Sequence, residues 1–251
     1  MPQPSPAVLP ATRLVHMALN PKGGVGKSLI SSFLAQYYRS KGEPCRCFDA
    51  DATTATFSGI KGLNVQRIEM RAGLIIDERR LDEVMDPLLL EDAHIVLDTG
   101  ASTYTVFANY LIENDVIVAI QVNGKRVVVH VIIVGGATLL ETLSDFKDLA
   151  EQLPGGVDII VWKNEHFGPI ISPDGKPFEE MKVYQDYRHR IHAIIHLPQR
   201  TVATFGADIA AMMKRQQTFD EAIVHPDTRL MAKQRLKLVR DDVFNQLTQA
   251  L

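Results

Sequence analysis

At 251 residues the chain is long enough for one large α/β domain with a properly buried core. Apolar residues make up 46% and charged residues 23%, which excludes wholesale disorder, and a net charge of −3 confines any contact with nucleic acid to a local patch. Two cysteines, Cys45 and Cys47, are too few for a disulfide framework and read as reduced thiols of a cytoplasmic protein.

Met1–Thr12 carries prolines at 2, 4, 6 and 10 with no basic or long apolar stretch, so residues 1–12 are expected to form a flexible leader rather than a signal peptide. Leu14–Leu19 reads as a buried strand. Lys27–Ser40 places apolar residues at helical spacing and stops near Gly42. Strands are expected at Cys45–Asp49, Val65–Met70 and His94–Leu97, with a helical turn or two within Leu74–Leu90. Tyr104–Ile112 reads as a helix, followed by strands at Val116–Val122 and Val127–Val134. Thr138–Leu153 is helical and Val157–Trp162 returns to the sheet. The turn Ser172-Pro173-Asp174-Gly175 marks an excursion over Gly168–Lys176. A last strand at Ile191–His196 precedes helices over Val202–Arg215 and Thr228–Leu251. Alternating strands and helices predict an α/β fold: a single-domain, doubly wound, mainly parallel sheet flanked by helices over residues 13–251. The most apolar run, Val127–Leu140, is broken by His130 and Gly135-Gly136 and is too short to span a bilayer.

The chemistry concentrates in Asn20-Pro21-Lys22-Gly23-Gly24-Val25-Gly26-Lys27-Ser28, between the first strand and the first helix. A glycine-rich loop in that context wraps backbone N–H groups around phosphates, and the following helix aims its positive N-terminal end at them. Lys27 would contact the β- and γ-phosphates, and Ser28 would coordinate Mg²⁺. Asp98 ends an apolar strand and would hold the metal through water, while Asp49-Ala50-Asp51 ends another, with both carboxylates on one side of the alternation. Strand ends on one sheet edge converge on the ligand crevice, so the three carboxylates can share one Mg²⁺-nucleotide.

The common phosphate-loop pattern needs glycine at position 21, where this chain has proline, and it does not ask for Lys22. The K-G-G-x-G-K-[ST] form found here resembles the deviant Walker A motif of the ParA/MinD class. Phe48-Asp49-Ala50-Asp51-Ala52-Thr53-Thr54-Ala55-Thr56-Phe57 is similar to the switch I run of the TraL/StbB-type ATPases of conjugative plasmids, with Ala52 in place of a proline and Thr54 in place of an asparagine. The resemblance implies a bacterial ATP-dependent homodimer in which Lys22 reaches the partner copy's nucleotide. In that class Asp51 matches the aspartate that orients the attacking water, and Asp49 the residue that supports the metal. It also implies that Gly23, Gly24, Val25, Gly26, Lys27, Ser28 and Leu29 hold the nucleotide phosphates.

Ile159-Ile160-Val161-Trp162-Lys163-Asn164 resembles the strand whose terminal asparagine reads adenine, and Leu197-Pro198 the segment beside the base. An amide offers the donor and the acceptor that adenine requires, but an ordinary turn asparagine fits position 164 equally well. The Lys163-Asn164-Glu165 order differs from a guanine-reading motif and favours ATP, and the cysteines of the nitrogenase-type iron–sulfur branch are absent from this sequence. The implied process is plasmid conjugative transfer or plasmid DNA positioning, by slow, partner-stimulated ATP hydrolysis, with a plasmid-encoded DNA-binding or transfer-machinery protein as partner. An ATP-binding scaffold with negligible hydrolysis is the alternative.

Arg229, Lys233, Arg235, Lys237 and Arg240 could contact DNA phosphates without reading bases, or form a solvated helix face. The apolar stripe at 236, 239, 243, 247 and 251 is expected to dock on protein rather than on a membrane. His189, His192 and His196 have an inviting metal-ligand spacing, but no fourth ligand accompanies them and a structural role is expected.

Overall fold

The computed structural model describes residues 12–72 and 75–251, so the expected leader lies, apart from Thr12, outside the described residues. The elements run β1 (Leu14–Ala18), α1 (Lys27–Lys41), β2 (Cys45–Ala50), β3 (Gln66–Arg67), β4 (Arg71–Ala72), β5 (Ile75–Ile76), α2 (Asp82–Leu90), β6 (His94–Thr99), α3 (Tyr104–Glu113) and α4 (Val116–Val122). They continue with β7 (Arg126–Val134), α5 (Leu139–Gln152), β8 (Asp158–Asn164), α6 (Lys182–Tyr187), β9 (Ile191–Leu197), α7 (Ala207–Lys214), α8 (Phe219–Val224) and α9 (Leu230–Ala250). Seven strands form one sheet in the order β3-β2-β6-β1-β7-β8-β9, and every pairing in it is parallel. β4 and β5 make a separate antiparallel ladder.

Alternation along the buried strands sends neighbouring side chains into two cores. Val15, Met17, Phe48, Leu97 and Val129 pack under α2–α6, whereas Leu14, Cys47, Val96, Val128 and Trp162 pack under α1 and α7–α9. The chain is thus doubly wound about β1. Its successor β2 lies on one side, beyond β6, and β7 lies on the other, so the crevice opens at the C-terminal end of β1.

The expected strand at Val116–Val122 is a correction: this segment is the helix α4. A seven-residue run rich in β-branched residues cannot be assigned by periodicity alone. In the fold β1 is already flanked by β6 and β7, which leaves the run no sheet position there. Val116, Ile117 and Ile120 are buried while Val118 and Val122 are exposed, which is a helical spacing. Only Gln66–Arg67 of the expected strand 65–70 joins the sheet, and the helical part of 74–90 is a 3-10 turn at Glu78–Leu81 followed by α2, residue 74 lying outside the described set. Val202–Gly206 is wound as a π turn before α7. The short helix α8 was not anticipated; Thr218 and Glu221 close a capping box at its start.

Candidate functional site

The loop between β1 and α1 owes its shape to glycine at two positions. Gly24 (φ +76°) and Gly26 (φ +111°) sit in the left-handed region, where a side chain would strain the backbone. Asn20 fixes the loop's entry, accepting from the Ile132 amide (2.8 Å) and donating to its carbonyl (3.2 Å) and to Asp145 Oδ2 (3.3 Å). α1 then leaves the loop with its N-terminus towards the phosphate position and ends at Gly42, where the Gly42 and Glu43 amides close on Arg39 and Tyr38. Lys27 is buried, which pushes its pKa down against the opposing pull of Asp98, Asp51 and Asp145, and its Nζ donates to the Lys22 carbonyl at 2.8 Å.

The sheet register brings the carboxylates together. Asp98 is the Cα partner of Ala18 on one side and of Asp49 on the other, one row before β1 hands over to the loop. Burial pushes the Asp98 carboxyl up to about 7, against the opposing pull of the Ser28 hydroxyl and a hydrogen bond from Ser31 Oγ to Oδ1 at 3.0 Å. Asp98 Oδ2 is buried with no hydrogen-bond partner. An orphaned carboxylate oxygen beside a serine hydroxyl and a lysine is a hard-oxygen environment that fits a hydrated Mg²⁺. Asp49 differs: its oxygens accept from the amides of Asp51 (3.0 Å) and Ser58 (2.9 Å), so it braces the loop that follows β2.

Asp51 turns back on its own loop. Its carboxylate accepts from the Thr53 amide and hydroxyl (2.8 Å each), the Thr54 hydroxyl (2.8 Å) and, at 3.3 Å, the Thr54 amide. Burial raises its pKa, and these hydrogen bonds outweigh burial and hold it below the usual carboxylate value. The strand-end sequence Asp98-Thr99-Gly100 allows this approach, because a Cβ on Gly100 would lie 2.5 Å from Asp51 Oδ1 and 3.0 Å from its Cα. Lys22, half-exposed, pairs with Glu141 at the start of α5 (2.6 Å).

A cavity of about 300 Å³ adjoins the loop, lined by Gly24–Gly26, Leu29, Asn164, Pro198, Phe205 and Val243 among others. Asn164 Nδ2 donates to the Val25 carbonyl (3.0 Å) and Oδ1 accepts from the His166 amide (3.2 Å), which ties β8 to the phosphate loop and leaves one N–H. Sequence reasoning missed the far wall, made by Arg200, Phe205 and residues of α9. Arg200 lies over the Phe205 ring (5.1 Å) and pairs with Asp242 at 2.7 Å. No local pattern marks these residues; they meet only because α9 packs beside β9.

The basic cluster divides. Arg235 pairs with Asp208 (2.6 Å), and Arg240 with Asp220 (2.9 Å) and Asp241 (3.0 Å). Arg229, Lys233 and Lys237 form no ion pair among the described residues. The α9 stripe docks on the domain itself, with Leu236, Val243 and Leu247 in the second core. His192 and His196 face Asp158 and Glu165, His189 lies in the turn before β9, and no metal-binding cluster occurs among the described residues. Cys45 and Cys47 are free thiols with Sγ atoms 3.9 Å apart. No described helix is long and apolar enough to cross a membrane.

The family model for the CobQ/CobB/MinD/ParA nucleotide binding domain matches residues 16–225. Protein TraL of Escherichia coli is 40% identical over 236 residues, covering 94% of this chain and 98% of that protein. A second Escherichia coli protein of the same name is 39% identical over the same span. Among solved structures, the MinC:MinD cell division protein complex of Aquifex aeolicus matches with TM-score 0.52 at 12% identity, covering 90% of this chain and 95% of that one. The septum site-determining protein MinD of Pyrococcus horikoshii, complexed with Mg-ADP, matches with TM-score 0.50 at 14% identity, covering 91% and 96%. At such identities the structures speak for the fold alone. The fold, the loop and the matched span agree, and the chain belongs to the CobQ/CobB/MinD/ParA nucleotide-binding family.

Proposed function

We propose that the protein is a cytoplasmic ATP-binding switch that dimerises on ATP, hydrolyses it slowly, and acts in plasmid conjugative transfer or plasmid DNA positioning. Residues 13–251 form its ATPase domain. The observation that carries the reading is the orphaned Asp98 oxygen beside a complete phosphate loop that bears the additional Lys22. The phosphate-loop amides from Gly23 to Leu29 and Lys27 neutralise the phosphates, and Ser28 and Asp98, supported by Asp49, would hold Mg²⁺, which supplies charge neutralisation when bound. Asp51 orients the water, and Asn164 and Pro198 border the base. Lys22 of a second copy adds positive charge in trans after leaving Glu141. That exchange is inexpensive, since a half-exposed ion pair contributes only about 0–1 kcal/mol.

The test is Lys22→Ala, examined by light scattering after size exclusion with ADP or a non-hydrolysable ATP analogue. The expected result is a wild type that dimerises with the analogue and a variant that stays monomeric and loses about 10³-fold or more in phosphate release, the lower range for a cation supplied in trans at such a site. A variant that dimerises and turns over normally refutes the trans role. The second reading, a scaffold with negligible hydrolysis, draws support from the hydrogen bonds that engage Asp51 with Thr53 and Thr54. Phosphate release from Mg-ATP with and without DNA separates the two. Association with a DNA-bound or transfer-machinery partner is the output in either case. Direct DNA contact through α9 is weakened as a reading by the carboxylates already on Arg235 and Arg240.

A further inference from the structure

The outer face of the N-terminal half of α9 sets exposed apolar residues beside cations that have no ion pair among the described residues. Leu230, Met231 and Leu238 are 80%, 61% and 48% exposed, although the same helix buries Leu236, Val243 and Leu247 on its inner side. Leu230, Gln234 and Leu238 follow one another at four-residue intervals and so form one outward row. Arg229, Lys233 and Lys237 form the adjacent row at the same interval. Those three cations have no ion pair among the described residues, whereas the arginines on the helix's flanks, Arg235 and Arg240, are paired.

Helix stability does not account for this arrangement. Arg229 is the N-cap and Lys233 lies in the first turn, where no acidic residue occurs. Cations at that end oppose the helix dipole. The exposed leucines and methionine likewise gain nothing from water. DNA phosphates would satisfy the cations and leave the apolar row wet, since backbone recognition uses charge and hydrogen bonds. A cationic row beside an apolar row is the complement of an amphipathic helix carrying acidic residues beside leucine-like ones.

We propose that this face of α9, Arg229–Leu238, docks an acidic amphipathic helix of a partner protein, with the partner's carboxylates along Arg229, Lys233 and Lys237 and its apolar row on Leu230, Met231 and Leu238. It names the partner chemistry for the recruitment reading above. Its test requires no hydrolysis and no dimer, so either reading can fail alone. The second core and the cavity wall on the opposite side of α9 place this helix against both the sheet and the base region, so a partner here binds a rigid element of the nucleotide domain.

The test uses the full chain and a synthetic helical peptide with glutamate and leucine rows at four-residue spacing, together with the same peptide in which lysine replaces glutamate. Binding is read by fluorescence anisotropy. Duplex DNA and phosphatidylglycerol vesicles are run in parallel. The expected result is binding of the glutamate peptide at least tenfold tighter than its lysine counterpart. A Lys233→Glu/Lys237→Glu variant and a Leu230→Ser/Leu238→Ser variant should each weaken it tenfold or more, with melting temperatures not lowered, since Leu230, Lys237 and Leu238 are exposed and an acidic residue at 233 suits the helix dipole. Equal binding of the two peptides, or indifference to the leucine changes, overturns the proposal. So does DNA or vesicle binding that the lysine changes abolish while peptide binding is absent.

Discussion

Asp98 is held in a state that favours ligand over stability. Its folded pKa of about 7 lies above the ordinary carboxylate value, so the stability it contributes is complete at low pH and is lost as pH rises through about 7. A rise of about three units corresponds to at most about 4 kcal/mol, and relaxation of the site lowers that figure. Asp98→Asn is therefore expected to raise the melting temperature of the nucleotide-free protein in Mg²⁺-free buffer. The gain should be about 5 °C at pH 8, from roughly 2 kcal/mol, and shrink at pH 5. The same variant should lose the additional stabilisation that Mg²⁺ gives to ATP binding, read by thermal shift with and without the metal. Gly100→Ala probes the neighbouring contact. Its methyl group enters the space of Asp51, so phosphate release should fall about tenfold or more while nucleotide affinity changes less than about threefold, the pattern of a lost transition-state contact. A loss of affinity with phosphate release at saturating nucleotide unchanged would place Asp51 in binding alone.

At the scale of elements, α9 carries two stripes with different energetics. Leu247 is wholly buried, and Leu247→Ala should cost about 2–5 kcal/mol in urea unfolding; Leu238→Ala, on the exposed row, should stay within about 0.5 kcal/mol. α9 also caps the sheet edge, where Gln246 accepts from the His196 amide (2.7 Å) and donates to its carbonyl (2.9 Å), as a next strand would. Deeper in the sheet, a buried hydrogen-bond chain joins β8, β7, β1 and α1. Trp162 can only donate, so His130 Nδ1 accepts (2.9 Å), His130 Nε2 donates to His16 Nδ1 (2.9 Å), and His16 Nε2 donates to Tyr38 Oη (2.7 Å). Both rings are neutral in this arrangement. Burial pushes His130 down to about 3, and burial together with His130 lowers His16 well below its usual value. Depressed histidines bind fewer protons folded than unfolded, so stability is full above about 6.5 and falls below it by about 1.4 kcal/mol per pH unit for each ring. His130→Leu should destabilise the protein by about 1–3 kcal/mol at pH 8, because the Trp162 N–H loses its acceptor. The gap should close substantially by pH 5, and a constant gap between urea curves at the two pH values would show that the ring is not held neutral.

At the scale of the whole molecule, the parallel sheet and its crevice were legible because each strand–helix unit carries its own signal. The run from Leu14 through the glycine loop into α1 is contiguous, and so is each Asp at the end of an apolar strand. Val116–Val122 was misread because its residues suit both states, and only the positions already filled beside β1 exclude it from the sheet. The cavity wall of Arg200, Phe205 and Asp242 was illegible for a related reason: its members come from separate elements, and no spacing links them. The C-terminal basic residues looked equivalent along the chain, yet Asp208 and Asp220, distant in sequence, neutralise two of them and leave three beside an exposed apolar row. By itself the sequence determined the family, the order of strands and helices around the loop, and the residues that gather at one sheet edge, since these depend on local periodicity and on glycine conformation. Only the tertiary structure decided which charges remain unpaired, which carboxylate oxygen is orphaned and which helix closes the cavity beside the loop, because pairing and burial are set by residues far apart in the chain.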